Sequence, residues 1–210
     1  MTSENNKSGS IRTRNSLQIL DAAQAEFVLH GFKGTSMQSI ADRAELPKAN
    51  IHYYFKNKAK LYQAVLEEIM FAWNVVLEDM DQESDPAEVL SKFIHTKMQL
   101  SYTNPNGSKI FAMEIIQGAP HLIEHIRTDM RDWFKQKALV IQSWIDQGKM
   151  RNVNPMHLIF MIWSTTQHYA DFNTQVLEVM NRREYDDEEI ASITEFLTSM
   201  ILKGLDIQPT

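Results

Sequence analysis

Apolar residues recur at three- and four-residue intervals from about residue 14 almost to the end of the chain. No stretch alternates apolar and polar positions as a half-buried strand does. The pattern predicts an all-α protein. A first helix over 14–30 buries Leu17, Leu20, Ala23, Ala25, Phe27 and Val28, and Gly31 stands where a left-handed C-cap residue is expected. Thr35 or Ser36 then caps a short helix carrying Met37, Ile40, Ala41 and Ala44 on one side. Leu46-Pro47-Lys48 breaks it, with a proline that suits the first turn of another short helix over 49–55. A longer helix over 57–79 aligns Leu61, Val65, Ile69, Ala72, Trp73 and Val76, and at 1.5 Å per residue measures roughly 35 Å.

Further along, Asp85-Pro86 opens a helix to about 102, and Asn104-Pro105-Asn106-Gly107 reads as a turn before a short helix over 108–117. Pro120 opens a long helix ended by Gly148, and Asn154-Pro155 caps another to about 180. The acidic run 186–189 sits at the positive end of a last helix that stops at Gly204. The count is nine helices: three in an N-terminal head and six in a body, the fourth serving as a connecting rod.

Two short helices joined by a turn of three to four residues form the helix-turn-helix unit, whose second helix enters the DNA major groove. Charge strengthens that reading only once the chain is divided. The whole chain carries −6, but residues 1–60 hold nine basic and five acidic side chains, a balance of +4, and the rest carries −10. A basic head on an acidic body points to nucleic acid at one end. The polar residues 1–11 read as a mobile arm, with Arg12 and Arg14 placed to touch phosphate.

Other chemistry is narrowed by composition. The absence of cysteine excludes disulfides and thiolate catalysis and suits a reducing setting. With neither an 18-residue apolar run nor a signal peptide at the start, a soluble, cytoplasmic protein is expected, without membrane partner or cofactor. His121-Leu122-Ile123-Glu124-His125 matches the H-x-x-E-H zinc signature. A zinc-dependent hydrolase using His121, Glu124 and His125 is therefore the remote rival to a non-enzymatic regulator.

The stretch GFKGTSMQSIADRAELPKANIHYYFKNKAKLYQAVL resembles the N-terminal signature of TetR-type transcriptional regulators, and the length and nine-helix plan fit that family throughout. The resemblance implies an arm and helix-turn-helix DNA-binding domain over 1–56, then a ligand-binding and dimerisation domain over 57–210 with the connecting helix at 57–79. It also implies a homodimeric repressor released from a palindromic double-stranded operator by a small effector. In two places the chain departs from the usual pattern. Glu45 stands in the turn where many members carry Gly, which implies a strained or altered turn, and His52 replaces a common aromatic. In the body, HLIFMIWSTTQHYADF and MEIIQGAPHLIEHI resemble the pyrimidine-utilisation repressor branch, whose effectors are uracil and thymine. Another small aromatic or apolar effector is the alternative.

Residue roles follow from this resemblance and from side-chain chemistry together. Lys48, Asn50, His52 and Tyr53 lie at the start of the recognition helix, where Asn can pair with adenine and Lys can reach guanine acceptors. Thr35, Ser36, Ser39, Tyr54, Lys56 and Lys58 are placed for phosphate, which fixes register without reading sequence. The helix from 155 is apolar all round and must be buried on two sides. Met156, Ile159, Phe160, Trp163, Thr166, Gln167 and Ala170 share one face, and Leu158, Met161, Thr165, His168 and Phe172 the other. Trp163 offers a stacking surface, Gln167 a donor and an acceptor, and Trp73, Lys97 and Thr166 further walls for a planar base. Thr165, His168 and Phe172 are assigned to the dimer seam.

Overall fold

The helices begin and end where local chemistry says they should more often than not, as a computed structural model shows. It describes the backbone of residues 3–207 and the side chains of residues 12–207. Helices α1 (Ser3–Gly34), α2 (Met37–Arg43), α3 (Lys48–Tyr54) and α4 (Lys58–Asn74) come first, the last continued by a 3-10 turn over Val75–Leu77. Helices α5 (Pro86–Thr103), α6 (Pro105–Ile116) and α7 (Ile123–His125) follow. A π-helical turn, Ile126–Met130, links α7 to α8 (Arg131–Asp146). Helices α9 (Pro155–Asp171), α10 (Asn173–Val179) and α11 (Asp187–Gly204) complete the order. There is no strand among the described residues.

Caps account for most boundaries. Asp85 accepts from the Ala87 amide at 2.9 Å, Asn154 from the Met156 and His157 amides at 2.9 and 3.2 Å, and Asp186 from the Glu189 amide at 2.8 Å. Gly31 takes φ 65°, ψ 175° and kinks α1 at the expected stop, after which one more turn runs to Gly34. Four expectations change. Residues 3–11, expected as a mobile arm, are helical, while residues 1–2 lie outside the described part of the chain. The turn expected at 104–107 shrinks to Asn104, because its side chain caps α6 by accepting from the Gly107 amide at 3.2 Å. The helix expected from Pro120 starts at Ile123, after Gly118 and Ala119 have both taken positive φ. Finally, the helix expected over 155–180 breaks at Phe172 into α9 and α10.

Two compact units divide the chain, Met1–Ile69 with Lys109–His121 and Met70–Ser108 with Leu122–Thr210, so the division falls inside α4 and inside α6. The core of the first unit is Ile19, Ala23, Phe27, Ile40, Ala41, Ile51, Leu61 and Leu66, all at most 1% exposed. The face of α1 that is buried runs through Ile19, Ala22, Ala23, Glu26 and Phe27, and Leu17, expected inside, is 49% exposed. In the second unit α5 packs between α9 and α11, with α8 against α9. Its core includes Leu90, Phe93, Ile94, Met98, Ile141, Trp144, Ile162 and Leu202. The ammonium of Lys137 closes the end of the Val75–Leu77 turn by donating to the Leu77 and Glu78 carbonyls, which pins the segment just after Trp73.

Candidate DNA-binding head and effector site

The head is built around a capping box. The Ser39 amide donates to Ser36 Oγ at 2.9 Å and the Ser36 amide to Ser39 Oγ at 3.2 Å, which places both hydroxyls at the start of α2. Between α2 and α3 the chain turns through Glu45 at φ 51°, the left-handed region that favours glycine. The turn that the sequence marked as strained is therefore strained at Glu45 itself. Only Ile51 of α3 is buried, while Lys48, His52 and Tyr53 are exposed and Asn50 and Tyr54 half-buried. Tyr53 and Tyr54 pack edge to face with centroids 5.3 Å apart, and His52 Nδ1 lies 3.3 Å from the Lys56 carbonyl.

Two residues expected at phosphate are engaged inside the head. Thr35 is 2% exposed, and its hydroxyl donates to the Gly31 and Glu26 carbonyls at 2.8 and 3.1 Å. Lys58 donates to the Thr35 carbonyl at 2.8 Å and stands 4.7 Å over the Phe32 ring. Lys58 thus braces the α1–α2 junction. Arg43, which the sequence reading did not assign, is tied to buried Glu26 at 2.7 Å, and that hydrogen bond holds the Glu26 carboxyl below its usual range. Exposed cations on this part of the chain include Lys48, Lys56 and Lys60.

The H-x-x-E-H run does not assemble as a metal motif. Only Ile123–His125 of it is helical, so His121 and His125 are not one turn apart on a helix face. His121 donates its backbone N–H to Glu114 Oε1 at 2.5 Å, and its Nδ1 lies 3.2 Å from Glu114 Oε2. Its ring packs 4.2 Å from Phe32 and 5.0 Å from Tyr62. His125 instead faces Asp129 at 2.9 Å. No cluster of three metal-ligating side chains occurs among the described residues.

The second unit brings together three of the five expected effector-site residues, Trp73, Lys97 and Trp163. Lys97 of α5 is 1% exposed, and its Nζ lies 3.9 Å from the centroid of Trp73 and 5.1 Å from that of Trp163. Trp73 and Trp163 meet edge to face at 6.3 Å. Burial pushes the Lys97 ammonium down to about 7, against an opposing pull from the Asp171 carboxylate. Thr166 is fully buried, but its hydroxyl donates to the Ile162 carbonyl at 2.7 Å, which leaves it only an acceptor for anything else. Gln167 is 8% exposed on the same face of α9.

Sequence reasoning missed other members of this cluster. Trp133 and Phe134 of α8 join it, with centroids 6.3 and 5.0 Å from Trp163. Asp171 accepts from Ser108 Oγ at 2.5 Å and charges the surroundings of Lys97. The inner face of α9 is Leu158, Ile159, Ile162, Trp163, Thr166, Gln167 and Ala170. Leu158, assigned to the outer face, is buried, and Phe160, assigned to the inner face, is 52% exposed. The outer face presents Met161, Thr165, His168 and Phe172, the last two stacked at 5.1 Å. A groove of about 530 Å³ runs beside it, lined among others by His157, Met161, Thr165, Phe196 and Met200.

None of the described helices is long and apolar enough to cross a membrane. Residues 19–65 match the profile of bacterial regulatory proteins of the tetR family, and residues 66–208 match that of the YcdC-like protein C-terminal region. The chain is 36% identical to the HTH-type transcriptional regulator RutR of Escherichia coli K12 over 187 residues, 89% of this chain and 88% of that one. Its fold is similar to that of HlyIIR, a hemolysin II transcriptional regulator, with a TM-score of 0.65 and 24% identity, covering 94% of this chain and 99% of that one. The fatty acid degradation regulator FadR from Bacillus halodurans gives a TM-score of 0.67 at 17% identity, covering 92% and 97%. A helix-turn-helix head, an all-helical body and profiles that together span residues 19–208 lead to one conclusion: the chain belongs to the TetR family of bacterial transcriptional regulators.

Proposed function

We propose that this TetR-type regulator is a cytoplasmic, homodimeric repressor that leaves a palindromic operator when uracil or thymine occupies the cluster around Trp73, Lys97 and Trp163. The single observation that carries the effector is that cluster. It sets two indoles around a fully buried lysine whose ammonium lies over both rings and has no hydrogen-bond partner among the described residues. A pyrimidine dione matches it, since its flat ring stacks on indole and its carbonyl oxygens accept from Lys97. Gln167 supplies a donor and an acceptor to the ring edge. The resemblance of residues 113–126 and 157–172 to the pyrimidine-utilisation branch supports the same effector.

In this reading residues 1–56 form the DNA-binding domain and residues 57–210 the effector and dimer domain, with the connecting helix at 57–79. Lys48, Asn50, His52 and Tyr53 face base edges, while Ser36, Ser39, Tyr54 and Lys56 hold phosphate. The seam between two copies is the outer face of α9 at Met161, Thr165, His168 and Phe172. Two heads held one helical turn apart, about 34–36 Å, read the two half-sites. Uracil favours release because it binds the conformer with low operator affinity more tightly, and a tenfold loss of operator affinity requires about 1.4 kcal/mol of such coupling.

The test is a mobility shift on the DNA upstream of the chain's own coding sequence, with and without millimolar uracil or thymine. Release of the operator, with a matching rise in melting temperature, is the expected result. An unchanged shift together with an unchanged melting curve overturns the pyrimidine assignment.

A further inference from the structure

Four buried side-chain nitrogen or oxygen atoms have no hydrogen-bond partner among the described residues, and three of them lie in one cluster: Lys97 Nζ, Trp163 Nε1 and Trp133 Nε1. All three are donors. Trp133 is the unexpected one. Its ring is only half-buried on α8, between Arg131 and Lys135, where a tryptophan ordinarily turns its N–H to water. Here the N–H is buried instead, while Phe134 at 5.3 Å edge-on and Trp163 at 6.3 Å and 37° hold the ring. An indole N–H withdrawn from water without a partner is unfavourable, so its burial in a ring cluster that already holds the unpaired donors of Lys97 and Trp163 needs a cause. A ligand rich in acceptors supplies one.

We propose that Trp133 is an effector-specificity residue, whose indole N–H donates to a carbonyl oxygen of the planar ligand while Lys97 and Trp163 serve its other acceptor edge. The ligand class is thereby narrowed to heterocycles with at least two carbonyl acceptors, and ring systems carrying an exocyclic amino group in place of one carbonyl are rejected. An amino group would point a donor at a donor, and the unpaired pair would remain buried. This inference rests on the pyrimidine reading above and adds to it the residue that separates a dione from an amino-pyrimidine.

The experiment measures binding by titration calorimetry on the full chain, with uracil, 2-thiouracil, 4-thiouracil and cytosine as probes. Sulfur is a far weaker acceptor than oxygen, so each thio-analogue weakens one edge. The native protein is expected to bind uracil at least tenfold more tightly than cytosine and than one of the two thio-analogues. Trp133→Phe keeps an aromatic ring but removes the N–H. It is expected to lose about tenfold in uracil affinity, and its preference for uracil over that same thio-analogue is expected to collapse toward onefold. Helical content without ligand is expected to stay as in the native protein, since the removed donor has no partner among the described residues. Should Trp133→Phe fold poorly, β-(3-benzothienyl)alanine at position 133 replaces the N–H by sulfur with the ring outline kept, and the same collapse is expected.

Equal uracil affinity and an unchanged thio-analogue ratio in either variant overturn the role of Trp133 while leaving the pyrimidine reading intact. If the native protein itself shows no uracil binding at millimolar concentration, the pyrimidine reading falls first and this inference falls with it. That outcome is recognised before any substitution is made.

Discussion

Replacing Lys97 by Met tests the electrostatics of the proposed effector site through folding alone. The side chain is fully buried, and burial pulls its pKa from 10.5 to about 7. Between those two values the unfolded chain binds more protons than the folded one, so native stability rises with pH across that window. At 1.36 kcal/mol per pH unit the gap sets a ceiling of about 5 kcal/mol on the cost of burying Lys97 below pH 7. The cost falls to about 2 kcal/mol near pH 9 and vanishes by about pH 10.5. Met occupies a similar volume with no charge to desolvate, so Lys97→Met should melt higher than the native protein. The expected gap at pH 7 is up to roughly 10–20 °C for a chain of this size, closing as pH rises to 10. Scanning calorimetry in a pH series measures it. The same variant should still bind operator and should no longer respond to uracil. A Lys97→Met protein that melts at or below the native temperature at pH 7, or a gap that does not narrow toward pH 10, refutes the reasoning.

Three further outcomes follow from the head and the seam. The double variant Lys48→Ala, Tyr54→Ala should lose at least tenfold in specific operator affinity, from one base contact and one phosphate contact; retained sequence-specific shifts at fixed salt would count against those contacts. Glu45→Gly relieves a left-handed residue and should raise stability by about 0.5–1 kcal/mol, read in chemical denaturation, with a fall in stability as the contrary result. Met161→Asp puts a charge on the outer face of α9 and should weaken self-association at least tenfold by light scattering after gel filtration, leaving the monomer's helical content unchanged. A dimer as tight as the native one would move the seam elsewhere.

What the sequence made legible was the local part of the fold. Asp85 and Asn154 cap helices as expected, and Asp186 of the acidic run caps α11, because a capping carboxylate or amide meets an amide only two or three residues away. Faces were less legible where apolar residues stand on both sides of a helix. Leu17 and Ile19 are two residues apart, as are Leu158 and Phe160. In each pair the packed neighbours decide which enters, and periodicity alone assigned the wrong member. Thr35 shows the limit for polar residues. A hydroxyl at a helix start is an equally good phosphate donor or internal brace, and only the approach of the Gly31 and Glu26 carbonyls distinguishes them.

Trp133 was invisible for a related reason, because composition counts an indole as core or stacking surface and says nothing about where its N–H ends. The contrast within this one chain makes that criterion sharp. Trp144 is fully buried, and its N–H donates to the Asp81 carbonyl at 3.0 Å; Lys137 is buried, and its ammonium donates to two carbonyls. Those two residues are satisfied by the fold and are structural. Trp163, Trp133 and Lys97 are the same residue types in the same unit, yet their donors have no hydrogen-bond partner among the described residues, the Lys97 ammonium meeting only indole faces. Apolar residues of similar size would pack there at lower cost, as burying unpaired donors is unfavourable and filling the space with Leu or Met is not. In the proposed reading, a partner arriving from outside the chain satisfies those donors. The sign of the unpaired groups, all donors, then says what that partner must carry.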